Sequence, residues 1–504
     1  MTVVTKGNTG RGRRSRQAKR LLLVGGSCLV LLLIGLLCFG GGIGGGTSSS
    51  HKQQDQLRSQ KSRRTAGGGG GRRGGGGGRR RNRNPQNNNH RQYEAGSDER
   101  SRMIREELEA EFEDPENPDD ENRFLDLILE GKAHLVGVDA EISERGGNND
   151  DPDAPPGDGY YSGVYGQFCQ VNFDIHKKDP ASVPMFRDVM TNSPGCDDPY
   201  EFDLYKVASL ARERDEVAKQ NGDATPKALN LTAVAFHESR CGSTLVANAM
   251  IAMDPTKHRT YSESPPPVYV LRQLCGENYS RCSVEHAATV LRDTIYMMSR
   301  TDDEREERVF FKFQSISSKY IEIFTTAFPN VPWMYVYRDP VQVMMSHVKD
   351  DQTLSRANCV RTMHGPHGND MHNIAKHHGY RDIRDLNRME YCAAHLASLT
   401  ESAVRNLNDM AIPVDYAKLP SMLWEEIFPK IWGRPLTQTE ISNMEAVSGT
   451  YSKGRGNKKK DFKDDSQKKE QSASEEVRDA AEKFMKESFD QLKTFEAPLL
   501  LTDS

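Results

Sequence analysis

The sequence predicts an α/β fold in which a parallel β-sheet is flanked by helices, and three observations predict it. Short apolar runs rich in β-branched and aromatic residues recur at Thr232–Phe236, Val309–Phe313 and Trp333–Tyr337. Stretches with helical spacing fill the intervals between them. Two of these runs empty directly into the N-terminus of a helix, the local pattern of a parallel α/β unit. The part expected to fold is Tyr160–Ser504, long enough for one large domain with a substantial core.

The preceding residues carry different instructions. Residues 1–20 form a basic tail, densest at Arg11–Arg20, and the chain is then uncharged and apolar from Leu21 to Phe39. That run is long enough to span a bilayer. Lys and Arg are denser before it than after it, which places the N-terminus in the cytosol. The run exceeds most signal-peptide cores and no clear small-x-small cleavage site follows, so residues 21–43 are expected to be a transmembrane signal anchor of type II, with a cleaved signal as the alternative. Residues 44–159 are expected to be a low-complexity, largely disordered stem. Gly tracts alternate with Arg over Gly67–Arg83, then Asn and Gln dominate, then acidic residues. Arg-Gly composition also occurs in RNA-binding segments. Behind an anchor it serves better as a spacer, and a net charge of −4 gives the whole chain no nucleic-acid-binding character. Arg123–Val138 holds enough apolar residues for one short helix docked on the domain, and Asp151–Gly159 reads as the last linker.

Within the domain, Leu229–Met250 is an apolar run, a polar loop and an apolar helix. The loop offers Arg240, Cys241, Gly242, Ser243 and Thr244. A glycine lets backbone approach a ligand closely, the helix start gathers free N–H groups, and an arginine adds a fixed positive fork. Trp333–Val348 repeats the arrangement with Arg338 at the strand end, Asp339 as N-cap, Pro340 at the first helical position, and Ser346 about two turns up the helix. Two anion-binding corners on one sheet suggest a nucleotide with two separated phosphate groups. The alternatives are an ordinary turn carrying a surface arginine, and an Arg338 paired with a carboxylate while Ser346 faces solvent. A metal-dependent ATP loop is excluded by its own requirements, because no lysine lies between His237 and Met250 and Gly242 is the loop's single glycine.

Ser239–Thr244 (SRCGST) resembles the 5′-phosphosulfate loop of sulfotransferases that use 3′-phosphoadenosine 5′-phosphosulfate (PAPS). Tyr337–Ser346 (YRDPVQVMMS) resembles their 3′-phosphate motif, and the clear resemblance runs from Leu229 to Val348. It implies a P-loop NTPase-like sulfotransferase fold, PAPS as sulfuryl donor, no metal, and a Golgi membrane protein with its catalytic domain in the lumen. The acceptor is then a hydroxyl of a carbohydrate or a protein tyrosine. The Golgi tyrosine-sulfating and related branches place a carboxylate general base near the segment Tyr261–Leu271, which makes Glu263, ahead of Pro265, Pro266 and Pro267, the candidate base. Lys312, in an apolar strand, must snorkel, pair with a carboxylate or meet a ligand; the resemblance assigns it to the bridging or leaving oxygen. A basic late loop often closes over the 3′-phosphate in the family, which nominates Lys453 and Arg455 within Tyr451–Asp464. Two departures stand out. Cys241 occupies a position that is often Ser, and Glu238 sets a negative charge beside an anion site.

Ile412–Tyr416 reads as a further strand and Glu475–Leu492 as an amphipathic helix. Setting Cys241 aside leaves six cysteines beyond the anchor, an even number suited to disulfides in an oxidising lumen, with Cys275 and Cys282 an attractive close pair. Of two glycosylation sequons, Asn278 lies in a polar loop, whereas Asn230 begins a strand and is expected to be unused. The histidines between His364 and His378 invite a metal reading, but a polar loop near the acceptor cleft is the better one. Two rivals are kept: a non-catalytic sulfotransferase-like binding or scaffold protein, and a P-loop kinase, against which the missing loop lysine argues and which Mg²⁺-dependent ATP binding would revive. The acceptor and the oligomeric state are not encoded in any pattern found.

Overall fold

The computed structural model describes residues 102–105, 118–140, 161–276, 283–349, 353–354, 357–450, 461 and 463–495. The expected tail (1–20) and anchor (21–43) lie outside the described residues, as do most of the stem, Lys453, Arg455, Asn278 and Cys282. Among the described residues no helix is long and apolar enough to cross a membrane.

The folded body begins before Tyr160. Helix α1 (Pro118–Leu129) and strand β1 (His134–Ala140) arise from the stretch read as the end of the stem. The single helix expected over Arg123–Val138 is half helix and half strand. Gly131, with a φ of 75°, turns the chain after α1. Val136 and Val138 then suit a strand once β2 (Val164–Cys169) lies antiparallel beside them. Strand β3 (Tyr200–Asp203) completes this small antiparallel sheet and leads into helix α2 (Leu204–Asn221). Arg300, almost fully buried, donates to the Leu129 carbonyl at 2.7 Å and pairs with Asp215 of α2, so one guanidinium ties α1 to the body. Strands β4 (Lys227–Ala228) and β7 (Arg300–Thr301) pair antiparallel beside it.

The main sheet has five strands: β5 (Asn230–His237), β6 (His258–Ser262), β8 (Arg308–Lys312), β9 (Trp333–Tyr337) and β10 (Ala411–Asp415). Their order is β10-β9-β5-β8-β6, and every neighbouring pair is parallel. Three of these strands match the predicted apolar runs, and β10 overlaps Ile412–Tyr416. Strand β6 has no apolar signature because its buried arginine disguises it. Arg259 is satisfied inside by Glu306, by the Arg300 carbonyl at 2.8 Å and by Thr301 at 3.0 Å, with Phe173 beneath its guanidinium.

Alternation along β5 sorts the core. Val234 and Phe236 face one side with Tyr261, Phe311 and Trp333, whereas Ala233 and Ala235 face the other with Phe310, Met334 and Val336. Small side chains on that second face let helix α3 (Ser243–Met253), buried along its whole length, lie close to the sheet. Helices α4 (Pro265–Cys275) and α5 (Val284–Ser299) follow β6, and the three prolines ahead of Val268 form the first turn of α4. After β9 come α6 (Pro340–Met345), α7 (Asn369–His377) and α8 (Arg388–Arg405). The chain ends its described part with α9 (Ser466–Ser472) and α10 (Glu475–Thr494), close to the amphipathic helix expected there. Cys169–Cys196 and Cys359–Cys392 are disulfides and Cys275 is also disulfide-bonded, while Cys241 is the free, buried cysteine among the described residues.

Candidate functional site

The strand order contains a topological switch point between β5 and β9. From β5 the chain crosses to β6 on one side, and from β9 it continues to β10 on the other, so these adjacent strands send their following loops in opposite directions. Ligands of open α/β sheets collect at such a switch point, beyond the carboxyl ends of the strands. His237 pairs in register with Val336, so the two strands end level and the loops after His237 and Tyr337 lie side by side. These are the two loops singled out as anion-binding corners.

In the first loop Gly242 has a φ of 87° and opens α3. A Cβ at this position would stand 2.6 Å from Cδ2 of Tyr416, so the ring that follows β10 fits only against a glycine. Arg240 is exposed and held at a φ of 67°. Glu263 (φ 56°) is the other non-glycine residue with positive φ among the described residues. Such conformations cost about 1–3 kcal/mol each and concentrate at functional sites; both fall on residues nominated from the sequence. Ser243 and Thr244 are buried at the helix start, and the Thr244 hydroxyl has no protein partner among the described residues. A buried donor left over in this way fits a ligand oxygen. Cys241 is fully buried, and burial pushes its thiol up to about 12, so it is not a nucleophile at neutral pH.

The second corner departs from expectation in one respect. Asp339 caps α6 by accepting from the Gln342 amide at 3.1 Å, and Pro340 begins the helix, as anticipated. The helix stops after six residues, and Ser346, about two turns from its start, is its C-cap. Its hydroxyl donates back to the Gln342 carbonyl at 2.8 Å, the local bond that hydroxyl side chains offer when a helix ends. Arg338 is nearly buried, with its guanidinium 4.0 Å over the Tyr416 ring. It donates to Gln342 at 2.9 Å, to Asp465 at 2.9 Å and to the Ser466 hydroxyl at 2.9 Å.

Between the corners, Glu238 points inward. Its carboxyl accepts from the Arg338 backbone N–H at 2.6 Å, and burial pushes its pKa well above the usual range. Burial thus favours the uncharged form, which lessens the repulsion expected of a carboxylate beside an anion site.

Lys312 is fully buried at the end of β8 and forms an ion pair with Glu263, which follows β6 and donates its own backbone N–H to the Lys312 carbonyl at 2.7 Å. Of the readings of Lys312, the structure shows the partner carboxylate, with the lysine at the strand end. Lys312 shares the sheet face of Phe310 and α3, and its charge acts on Cys241 in the loop.

Three contributors were not anticipated. Tyr416 touches both corners, and its position just past a parallel strand was a usable signal. Lys469 lies near Arg338 and Arg240 and is held below the ordinary lysine range by burial, with both arginines adding to the effect against the pull of Asp465. His347, pushed down to about 4 by burial, Arg240 and Lys469, has a buried Nε2 without a partner among the described residues. Neither of the last two stands in a recognisable pattern.

The histidine cluster disperses. His367 bonds the Tyr391 hydroxyl at 3.1 Å, whereas His377 and His378 line a separate cavity of about 340 Å³ with Glu401, Lys483 and Glu487. Much of the expected polar loop is helix α7. Among the described residues no group of three or more His, Cys, Asp and Glu side chains is placed to hold a metal ion.

No protein-family model matches the chain, and no curated protein matches it. Among solved structures it is similar to the sulfotransferase STF1 from Mycobacterium tuberculosis H37Rv, at 12% identity and a TM-score of 0.28, over 49% of this chain and 81% of that one. It is also similar to the sulfotransferase STF9 from Mycobacterium avium (12% identity, TM-score 0.25, 48% of this chain and 75% of that one). A third likeness is to the sulfotransferase domain of the Synechococcus PCC 7002 olefin synthase (12% identity, TM-score 0.25, 54% and 98%). Likenesses at this level assign no activity to the chain.

Proposed function

We propose that this chain is a PAPS-dependent sulfotransferase that transfers a sulfuryl group to a hydroxyl of a carbohydrate or a protein tyrosine. The observation that carries the proposal is the meeting of two strand-to-helix corners, each with its own arginine, at the switch point of one parallel sheet. The residues fit such a ligand: Ser243 and Thr244 are buried at the start of α3, and the Thr244 hydroxyl has no protein partner among the described residues.

PAPS supplies the sulfuryl group and leaves as adenosine 3′,5′-bisphosphate. Arg240, Gly242, Ser243 and Thr244 would hold its 5′ end, with the Cys241 backbone inside the loop, and Arg338 and Ser346 its 3′-phosphate. The acceptor oxygen forms a bond to sulfur as the bond from sulfur to the 5′-phosphate oxygen breaks. Glu263 takes the hydroxyl proton, and Lys312 offsets charge on the leaving oxygen. Lys453 and Arg455 are proposed to close over the bound nucleotide. Residues 21–43 would anchor the chain in the Golgi membrane with residues 160–504 in the lumen; the Cys169–Cys196 and Cys359–Cys392 disulfides suit that compartment.

One observation favours the non-catalytic rival: Glu263 is already engaged by Lys312. Transfer of labelled sulfate from PAPS to a panel of glycan and tyrosine-peptide acceptors tests both. Turnover reduced by roughly 10²–10⁴-fold in Glu263→Gln supports the base assignment. Tight binding of PAPS without turnover, unchanged in that variant, supports the binding protein instead. Failure to bind PAPS or the bisphosphate at all ends the proposal.

A further inference from the structure

One carboxylate holds two cations of the second corner. Oδ1 of Asp465 accepts from Arg338 at 2.9 Å and Oδ2 takes the Lys469 ammonium at 2.8 Å, while the adjacent Ser466 hydroxyl also meets the Arg338 guanidinium at 2.9 Å. The two cations are poorly solvated: the Arg338 side chain is 5% exposed and that of Lys469 17%, whereas Asp465 is 49% exposed. Two cations around one pair of carboxylate oxygens make the contact pattern of a bound oxyanion, with a side chain in the anion's place; the Ser466 hydroxyl accepts from Arg338 and donates to Asp464 at 2.6 Å. The sequence makes this local, because Lys469 follows Asp465 by four residues and returns to it after one helical turn.

We propose that Asp465 is a displaceable internal anion that keeps Arg338 and Lys469 assembled until a phosphate monoester takes its place, which makes Lys469 a further phosphate-binding residue. This inference rests on the assignment of Arg338 to the nucleotide 3′-phosphate. A nearly buried guanidinium next to an ammonium is costly without a counter-charge, so a resident carboxylate is needed when no ligand is bound. A half-exposed carboxylate is also cheap to release, because water stabilises it as it leaves. A phosphate brings more charge and a third oxygen for the same donors. Burial works to raise the Asp465 carboxyl, but hydrogen bonds from Lys469 and Arg338 outweigh it and hold the group below its usual range.

Calorimetric titration of the full chain with adenosine 3′,5′-bisphosphate and with adenosine 5′-phosphate tests this. Asp465→Asn, which keeps the shape and removes the charge, is expected to bind the bisphosphate about tenfold tighter, equivalent to ~1.4 kcal/mol. Its affinity for the 5′-phosphate, which has no 3′-phosphate, should stay unchanged. Lys469→Ala should weaken the bisphosphate selectively. Unchanged or weaker bisphosphate binding by Asp465→Asn, while Arg338→Ala abolishes it, overturns the role of Asp465 and leaves the nucleotide site standing. An equal gain for both nucleotides reduces the effect to general charge and also overturns the role. Absence of binding in wild type and Asp465→Asn alike removes the nucleotide site and the inference together.

Discussion

The carboxyl of Glu238 accepts the backbone N–H of Arg338 across 2.6 Å, joining two loops a hundred residues apart at the switch point of the main sheet. The bond closes the gap between β5 and β9 just beyond their last paired residues, and burial favours the protonated carboxyl. Glu238→Gln should therefore be tolerated within about 1 kcal/mol, whereas Glu238→Ala, which strands a buried amide, should cost roughly 1–3 kcal/mol in urea unfolding. The pH dependence separates the two effects. A carboxyl raised in the folded state stabilises most below about pH 4.5 and progressively less as pH rises. The stability of wild type relative to Glu238→Gln should therefore fall as pH rises, whatever slope the two proteins share.

The contact between Gly242 and Tyr416 predicts a steric failure. Gly242→Ala sets a methyl against the tyrosine ring and also forces an L-residue to a φ of 87°. The combined cost should be about 2–4 kcal/mol, seen as a lower thermal midpoint. Adding Tyr416→Ala should restore only the steric part, and a double-mutant cycle showing no recovery would locate the whole cost in the backbone.

The Lys312–Glu263 pair should respond asymmetrically, because the lysine is fully buried and the glutamate is 28% exposed. Glu263→Ala leaves an unpaired ammonium inside and should cost about 3 kcal/mol. Lys312→Met leaves a carboxylate that water can reach, and should cost about 1 kcal/mol or less. The double variant should be more stable than Glu263→Ala alone. Equal losses in the two single variants would mean that the pair does not carry its charge as described. If Lys312 serves the leaving oxygen, Lys312→Met should nevertheless lose sulfuryl transfer by roughly 10²-fold or more.

Acidification should weaken the fold before its carboxylates titrate. His176, 3% exposed, is pushed down to about 4 by burial and by Lys177. His347 is pushed down to about 4 as well. Both folded-state values lie below that of free imidazole, so as pH falls through about 6.5 the unfolded chain takes up protons first. The stability these groups contribute is complete above that pH and is lost down to about pH 4, at up to ~1.4 kcal/mol per pH unit for each histidine. Urea midpoints between pH 7.5 and 4.5 should fall accordingly. His176→Phe should fall less over the same range while matching or exceeding wild type at pH 7.5. A profile as steep as that of wild type would exclude His176 as a source.

What one sequence could determine here was local. An apolar run followed by a loop and an amphipathic or capped helix is written within about twenty residues, so β5, β9, the Asp339 cap and the Pro340 start were all legible, and both arginine corners with them. Nothing in PVQVMM marks where the helix after Arg338 ends, so the return of the Ser346 hydroxyl to the Gln342 carbonyl was not legible. Strand β6 escaped because Arg259 is neutralised by Glu306 and Thr301, partners more than forty residues away. What only the tertiary structure decided was who meets whom: Lys312 with Glu263, Glu238 with the Arg338 amide, Tyr416 with Gly242, and Asp465 with Arg338. These contacts follow from the order and register of strands in the sheet. That order is set by burying the whole apolar surface at once, a property of the packed chain that no single segment contains.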